Sequence, residues 1–272
     1  MLCTRSLIIL FVSSGVLCDG ESLLSSWNPC GHRYDPDCLL NSTAKFLENT
    51  ANGSLLTPCG RDDPDCLQKS TAKFLENTAN GLPAYDIRRI DPLSIPSLDY
   101  DLDNGLILHY KNLTVKGLKD QELSQFRIDI NEKGVKFQTK ANLTAEGEIV
   151  IEINKTGRSF SGPFSIKGIA LGTMRYGYGI STDDKGVQHF VVGPETISCQ
   201  AVGEPDVQLN SELKKAIAEG TEVNKGEDYK TKCLEMRQKI LCSIVDEAYV
   251  SVVHNIRASA KILPKEAFLT GV

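Results

Sequence analysis

The chain holds 272 residues, with 30 Lys and Arg against 35 Asp and Glu and a formal net charge of −5 at pH 7. That acidic balance, without a basic cluster in the sequence, argues against nucleic acid or an anionic membrane as partner. A length of this order is enough for one large domain or two small ones.

Met1–Arg5 carries one positive charge, and Ser6–Cys18 is an apolar run too short to span a bilayer. With a cut expected near Asp19, residues 1–18 read as a signal peptide. No other stretch reaches spanning length, so the remainder is expected to be soluble, secreted and extracellular. Of nine cysteines, Cys3 and Cys18 leave with that segment, and Cys30, Cys38, Cys59, Cys66, Cys199, Cys233 and Cys242 remain. In an oxidising compartment these are disulfide partners rather than zinc ligands. Cys30, His32, Cys38, Cys59 and Cys66 match no zinc-finger spacing either. The odd count leaves at least one thiol outside an intramolecular bridge. Acceptor motifs for N-glycosylation at Asn41, Asn52, Asn112, Asn142 and Asn154 agree with secretion.

The segment STAKFLENTANG occurs twice, at residues 42–53 and 70–81, each time behind DPDCL. In the second copy Asp63 is placed to cap a helix, Pro64 to open it and Gly81 to end it. Leu67, Phe74, Leu75 and Thr78 then share one face. The first copy repeats this with Asp35, Pro36, Leu39, Phe46, Leu47 and Gly53. Only the first copy carries acceptor asparagines, Asn41 and Asn52; the matching positions of the second are Lys69 and an Asn80-Gly81-Leu82 that lacks the hydroxyl. A glycan cannot sit against a packed sheet, so the second copy is expected to dock. The division that follows is an extension over residues 19–56 and a domain over residues 57–272.

From Ile87 to about Leu209 the apolar period becomes two: Phe126, Ile128 and Ile130; then Val135, Phe137, Thr139 and Ala141; then Ile149, Ile151 and Ile153. Turns are signalled at Asn104-Gly105, Lys133-Gly134, Thr156-Gly157 and Lys185-Gly186. The pattern predicts an antiparallel meander with one apolar face. The stretch from Asp99 to Gly105 resembles a calcium loop, but its glycine falls one place late and Tyr110 stands where a glutamate is needed, so it reads as a polar turn. His32, His109, His189 and His254 lie far apart without a catalytic constellation, and no nucleophile-elbow, zincin or phosphate-loop motif is present. An enzyme is therefore not expected, nor a cofactor or metal.

Residues from Asp228 to about Ala260 contain no glycine or proline. Leu234, Leu241, Val245, Ala248, Val252 and Ile256 form an apolar stripe, with Glu235, Lys239, Asp246 and Arg257 placed on the other side. A helix of that length is a rod of about 50 Å that needs a sheet around it. Cys233 and Cys242 fall on opposite sides of the rod, so only one of them can face Cys199.

The order of parts resembles the juvenile hormone binding protein and takeout family of arthropods. The resemblance rests on Cys59 and Cys66 with the helix that follows, on DPLSIP at Asp91–Pro96, on KNLTVKGLKD at Lys111–Asp120 and on LPKEAFL at Leu263–Leu269. It covers the chain from about Thr57 onward; the family pattern has one close cysteine pair and one helix, where this sequence has two. The resemblance implies an α+β fold in which a strongly curved antiparallel sheet wraps one long C-terminal helix, an elongated TULIP-like barrel enclosing an apolar tunnel. It also implies the bridge Cys199–Cys242, which leaves Cys233 as the free thiol. The near pairs Cys30–Cys38 and Cys59–Cys66 each close a short loop worth about 2.5 kcal/mol. The function implied is a monomeric haemolymph carrier of a small lipophilic ligand: juvenile hormone, a related terpenoid or a fatty acid derivative. Tyr176 and Tyr178 are the candidate groups to orient it. The alternative is a secreted glycoprotein acting through contact with a receptor or another secreted protein, with no small-molecule ligand.

Overall fold

The computed structural model describes residues 55–102, 105–220 and 228–271. The expected signal segment, the first repeat copy with His32, Asn41 and Asn52, and the bridge Cys30–Cys38 lie outside the described residues. All described residues belong to one compact unit, Phe46–Val272.

A short strand β1 (Cys59–Gly60) leads into helix α1 (Pro64–Thr78). The Asp63 carboxylate accepts from the Cys66 amide at 3.0 Å and Pro64 occupies the first turn, where a missing N–H costs nothing. Gly81, at φ 78°, closes the run in a conformation that side chains resist. The cystine Cys59–Cys66 staples β1 to α1. Leu55 and Leu56, which the sequence reading placed in the extension, are buried against Leu263 and Ala267.

The sheet consists of β2 (Leu93–Asp101), β3 (Leu106–Lys116), β4 (Glu122–Asp129), β5 (Gly134–Ile153), β6 (Arg158–Thr182) and β7 (Gln188–Leu209). Its order is β2-β3-β5-β6-β7. The long strand β5 is shared, since residues 134–140 pair with β4 and residues 144–153 with β3. Bulges interrupt the register at Lys111/Thr114, Leu123/Gln125, Lys167/Ile169 and Tyr176/Tyr178. Each bulge bends its strand and raises the local twist, and together they curl the sheet. Asp99 and Asp101 lie in β2 rather than in a turn, and Asp99 pairs with His109 across the ladder.

Two elements have no forecast in the sequence reading. Helix α2 (Ser211–Gly220) is capped by Asn210, whose side chain accepts from the Leu213 amide at 2.9 Å. Strand β8 (Leu269–Thr270) lies parallel to β1, the exception to an otherwise antiparallel pattern.

Helix α3 (Asp228–Ile262) packs against β6 and β7. Leu241, Val245, Ala248 and Val252 are buried, and Ile240, Ile244, Tyr249 and Val253 widen the stripe into a second row. Glycine makes the close approach possible. A Cβ on Gly172 of β6 would stand 2.5 Å from the Tyr249 ring, and one on Gly168 would stand 2.7 Å from Leu241. Glu235 and Lys239 are exposed, but Arg257 is not a solvent-side residue. It is half-buried and donates to the Val192 and Gly193 carbonyls and to Glu195, satisfying the bulged part of β7. Asp246 is half-buried as well. No helix among the described residues is long and apolar enough to cross a membrane.

Candidate functional site

The concave face of the sheet and α3 enclose a cavity of ≈ 180 Å³. Helix α1 closes it with Leu67, Phe74 and Leu75, and β4 contributes Leu123, Phe126 and Ile128. Val135 and Phe137 of β5, Tyr176 and Tyr178 of β6, and Phe190 and Val192 of β7 form the curved wall. Val252, Ile256 and Ala260 of α3 form the floor, and Phe268 and Leu269 complete the far end. These side chains meet because β5, β6 and β7 are in register and each presents alternate residues inward.

Aromatic rings brace the wall. Phe137 meets Tyr176 edge-on at 6.1 Å, Tyr178 meets Phe190 at 5.4 Å, and Phe190 meets Phe268 at 6.0 Å. Such edge-to-face pairs add about 1 kcal/mol each beyond area burial.

Among the described residues, the lining contains no Asp, Glu, Lys, Arg or His. Its polar groups are the side chains of Ser70, Thr71, Gln121, Thr139, Tyr176 and Tyr178. Ser70 is turned to the Thr57 backbone. Gln121 and Thr139 belong to a buried relay that runs in one direction. The Gln121 amide donates to the Leu118 carbonyl at 2.7 Å, the Thr139 hydroxyl donates to Gln121 Oε1 at 2.8 Å, and the Tyr249 hydroxyl lies 2.8 Å from Thr139. With the Thr139 proton committed to Gln121, Tyr249 is the donor in the last link. One amide hydrogen of Gln121 is left over. Among the described residues, none hydrogen-bonds the hydroxyl of Tyr176 or Tyr178.

Electrostatics keep these groups neutral. Burial pushes the Tyr249 phenol up to about 12, an effect the Thr139 bond partly opposes. Burial also raises the Tyr176 phenol, against the opposing pull of the Arg257 charge. Both remain protonated donors throughout the physiological range.

The other sequence candidates lie away from the cavity lining. Cys199 is joined to Cys242, tying β7 to α3, and Cys233 is a half-buried thiol. Asn112, Asn142 and Asn154 are all exposed. His109 lies 2.8 Å from Asp99, His189 Nδ1 donates to the Leu263 carbonyl at 2.9 Å, and His254 donates to the Asp86 carbonyl at 2.8 Å. Each described histidine is held by a local acceptor rather than gathered at a site.

A juvenile hormone-binding protein of Manduca sexta is 48% identical over 250 residues, a span that covers 90% of this chain and 96% of the relative. The sequence profile of haemolymph juvenile hormone binding protein matches residues 38–175. The chain belongs to the haemolymph juvenile hormone binding protein family. The crystal structure of Takeout 1 from Epiphyas postvittana aligns with a TM-score of 0.64 at 18% identity, over 79% of this chain and 100% of that one. At that identity the likeness is one of fold: a strongly curled antiparallel sheet with a C-terminal helix.

In this member of the juvenile hormone binding protein family, Tyr176 and Tyr178 both line the cavity. Gln121 and Tyr249 do not stand out in the sequence. Thr139 carries the one signal that points to the relay, a hydroxyl in the row Val135, Phe137, Thr139, Ala141 that is otherwise apolar and faces the core.

Proposed function

We propose that the protein is a carrier that holds a small, uncharged lipophilic ligand in the cavity between α1, the sheet and α3, and releases it chemically unchanged. The observation that carries this reading is a lining that, among the described residues, is made of apolar and neutral polar side chains with spare hydrogen-bond donors and no charge. A flexible ligand with roughly 400 Å² of apolar surface gains about 10 kcal/mol on leaving water. Immobilisation and ordering offset part of that gain, leaving room for micromolar to nanomolar binding.

The polar groups select within the lipophilic class. An ester, epoxide or ketone oxygen needs one donor, which the Tyr176 or Tyr178 hydroxyl or the spare Gln121 amide hydrogen supplies, for about 1 kcal/mol. An ionised carboxylate would give up its hydration and find no cation among the described lining residues. Juvenile hormone, the ligand in the name of the Manduca relative, or a related terpenoid ester fits this demand better than a free fatty acid. The signal-like segment 1–18 and the haemolymph setting in the family's description support secretion into a fluid compartment.

The test is competition against an uncharged fluorescent lipophilic probe on the purified full chain. Terpenoid esters should displace the probe at micromolar concentration, and the parent acids should be at least tenfold weaker. Folded protein that takes up no lipophile, or that binds acids as tightly as esters, would overturn the proposal.

A further inference from the structure

The outer face of the sheet carries a charge pattern that the linear sequence conceals. Arg127 of β4 is in register with Lys136 of β5, Lys136 with Arg175 of β6, and Arg175 with Thr196 of β7. Val135 and Phe137 point into the core, so Lys136 and its cross-strand partners point outward. Three cationic side chains therefore stand in one line over three neighbouring strands, a row about 10 Å long. Like charges placed directly opposite one another repel, and among the described residues none of the three has an ion-pair partner. They border an open groove of ≈ 690 Å³ that also includes Gly134, Gly177, Pro194 and two acids, Asp129 and Glu132. The Asp129 carboxylate is turned onto the amides of Asn131 and Glu132 at 3.0 Å.

The same end of the sheet exposes large apolar side chains. The β4–β5 and β6–β7 turns both lie here, with β6 running on past its last β5 pair at Gly177 to Thr182. Ile130 in the first turn is 42% exposed, and Val191 of β7, opposite Gly179 on the outer face, is 50% exposed. Val135 and Tyr176 border both this groove and the apolar cavity, so the two lie on either side of one pair of residues.

We infer that this end of the sheet docks on an anionic lipid surface, with Arg127, Lys136 and Arg175 against the headgroups and Ile130 and Val191 at the interface. Charge complementarity identifies an anionic partner, and the exposed aliphatic side chains favour a lipid surface over a water-soluble polyanion, which has no use for them. Docking in this orientation places the cavity wall next to the bilayer, where a lipophilic ligand is found. Cations that lie 9 and 39 positions apart in the chain do not register as a basic cluster until the strands pair.

Flotation of the full chain with vesicles tests this, comparing phosphatidylcholine alone with phosphatidylcholine containing phosphatidylserine. The protein should float with the anionic vesicles at low salt, dissociate at high salt and ignore the neutral ones. The triple variant Arg127→Gln, Lys136→Gln, Arg175→Gln should bind the anionic vesicles at least about tenfold more weakly. The pair Arg127→Lys, Arg175→Lys, which keeps the charge, should behave as the parent does. All three positions are on the outer face, so probe displacement from the cavity should be unchanged, and that readout separates this proposal from the carrier reading. Equal flotation of the parent and the triple variant would overturn the inference. So would retention on a heparin column by a protein that ignores anionic vesicles, because the partner would then be a soluble polyanion.

Discussion

The inner face of β5 passes through two environments. Towards β3 it presents Ile149 and Ile151, which pack with Leu106, Leu108 and Tyr110; each is at most 1% exposed. Tyr110 closes on Phe164 at 5.2 Å. Towards β4 the same strand presents Val135 and Phe137, which remain 9% and 7% exposed because the surface they show faces the cavity. Strand, alternation and helix are common to both ends, and only the fit of facing side chains differs. Aliphatic chains interdigitate at one end, while at the other a wall of rings holds itself open by edge-to-face contacts.

The sharpest way to break that comparison is to shorten one side chain at the filled end. Ile151→Ala should lower stability by about 3 kcal/mol, read by chemical denaturation, because the surrounding packing cannot collapse into the gap. Its ligand affinity should be nearly unchanged at protein concentrations where it remains folded. The converse change at the open end is Val135→Phe, which enlarges a side chain that already faces empty space. Affinity for a terpenoid ester should fall at least about tenfold while the denaturation midpoint stays within the spread of ordinary surface substitutions. A large loss of stability in this variant would mean that the cavity is not free space in solution.

Removing a single atom gives a finer test. Tyr176→Phe deletes a hydroxyl that has no partner among the described residues, so stability should hold. Titration should show about fivefold weaker binding of an ester, the worth of one hydrogen bond, and no change for a hydrocarbon of the same size. Between the two ends, Asp246 of α3 has a buried oxygen without a partner among the described residues, and burial raises its carboxyl to about 6. Its unfolded value is about 4, so the folded state holds the proton more tightly and loses stability as the pH rises through 6. Asp246→Asn should therefore stabilise the chain modestly at pH 7, with the advantage fading as the pH falls towards 4. The smallest effect is expected from deleting residues 19–54 while keeping the buried Leu55 and Leu56. The melting temperature should stay within a few degrees and ligand affinity within a few fold.

What the sequence revealed and what it hid separate along the same lines. Local rules were enough for α1, where Asp63, Pro64 and Gly81 mark both ends, and for α3, where the absence of glycine and proline leaves a long rod. Alternation at Val135–Ala141 and again at Ile149–Ile153 predicts half-buried strands, which the structure joins into β5, but a wall beside a cavity and a wall beside a filled core alternate alike. The relay escaped notice because Gln121, Thr139 and Tyr249 are distant in sequence and meet only after the sheet has curled. The cationic row escaped for the same reason, since it depends on register across three strands. Amphipathic reasoning sends Arg257 to solvent with every other charge, whereas a bulged strand leaves carbonyls for its half-buried guanidinium to satisfy.

The small parallel pair β1–β8 bears on the order of events during synthesis. Cys59 and Gly60 have been made long before Leu269 and Thr270, and their ladder cannot form until residue 270 is free of the ribosome. Phe268 and Leu269, which form the far end of the cavity, arrive with the same late segment. The nascent chain can build its filled end while the other is still an unfinished trough. A ligand is therefore loaded only after the segment with Phe268 and Leu269 has joined the rest of the wall, later than the filled end can form.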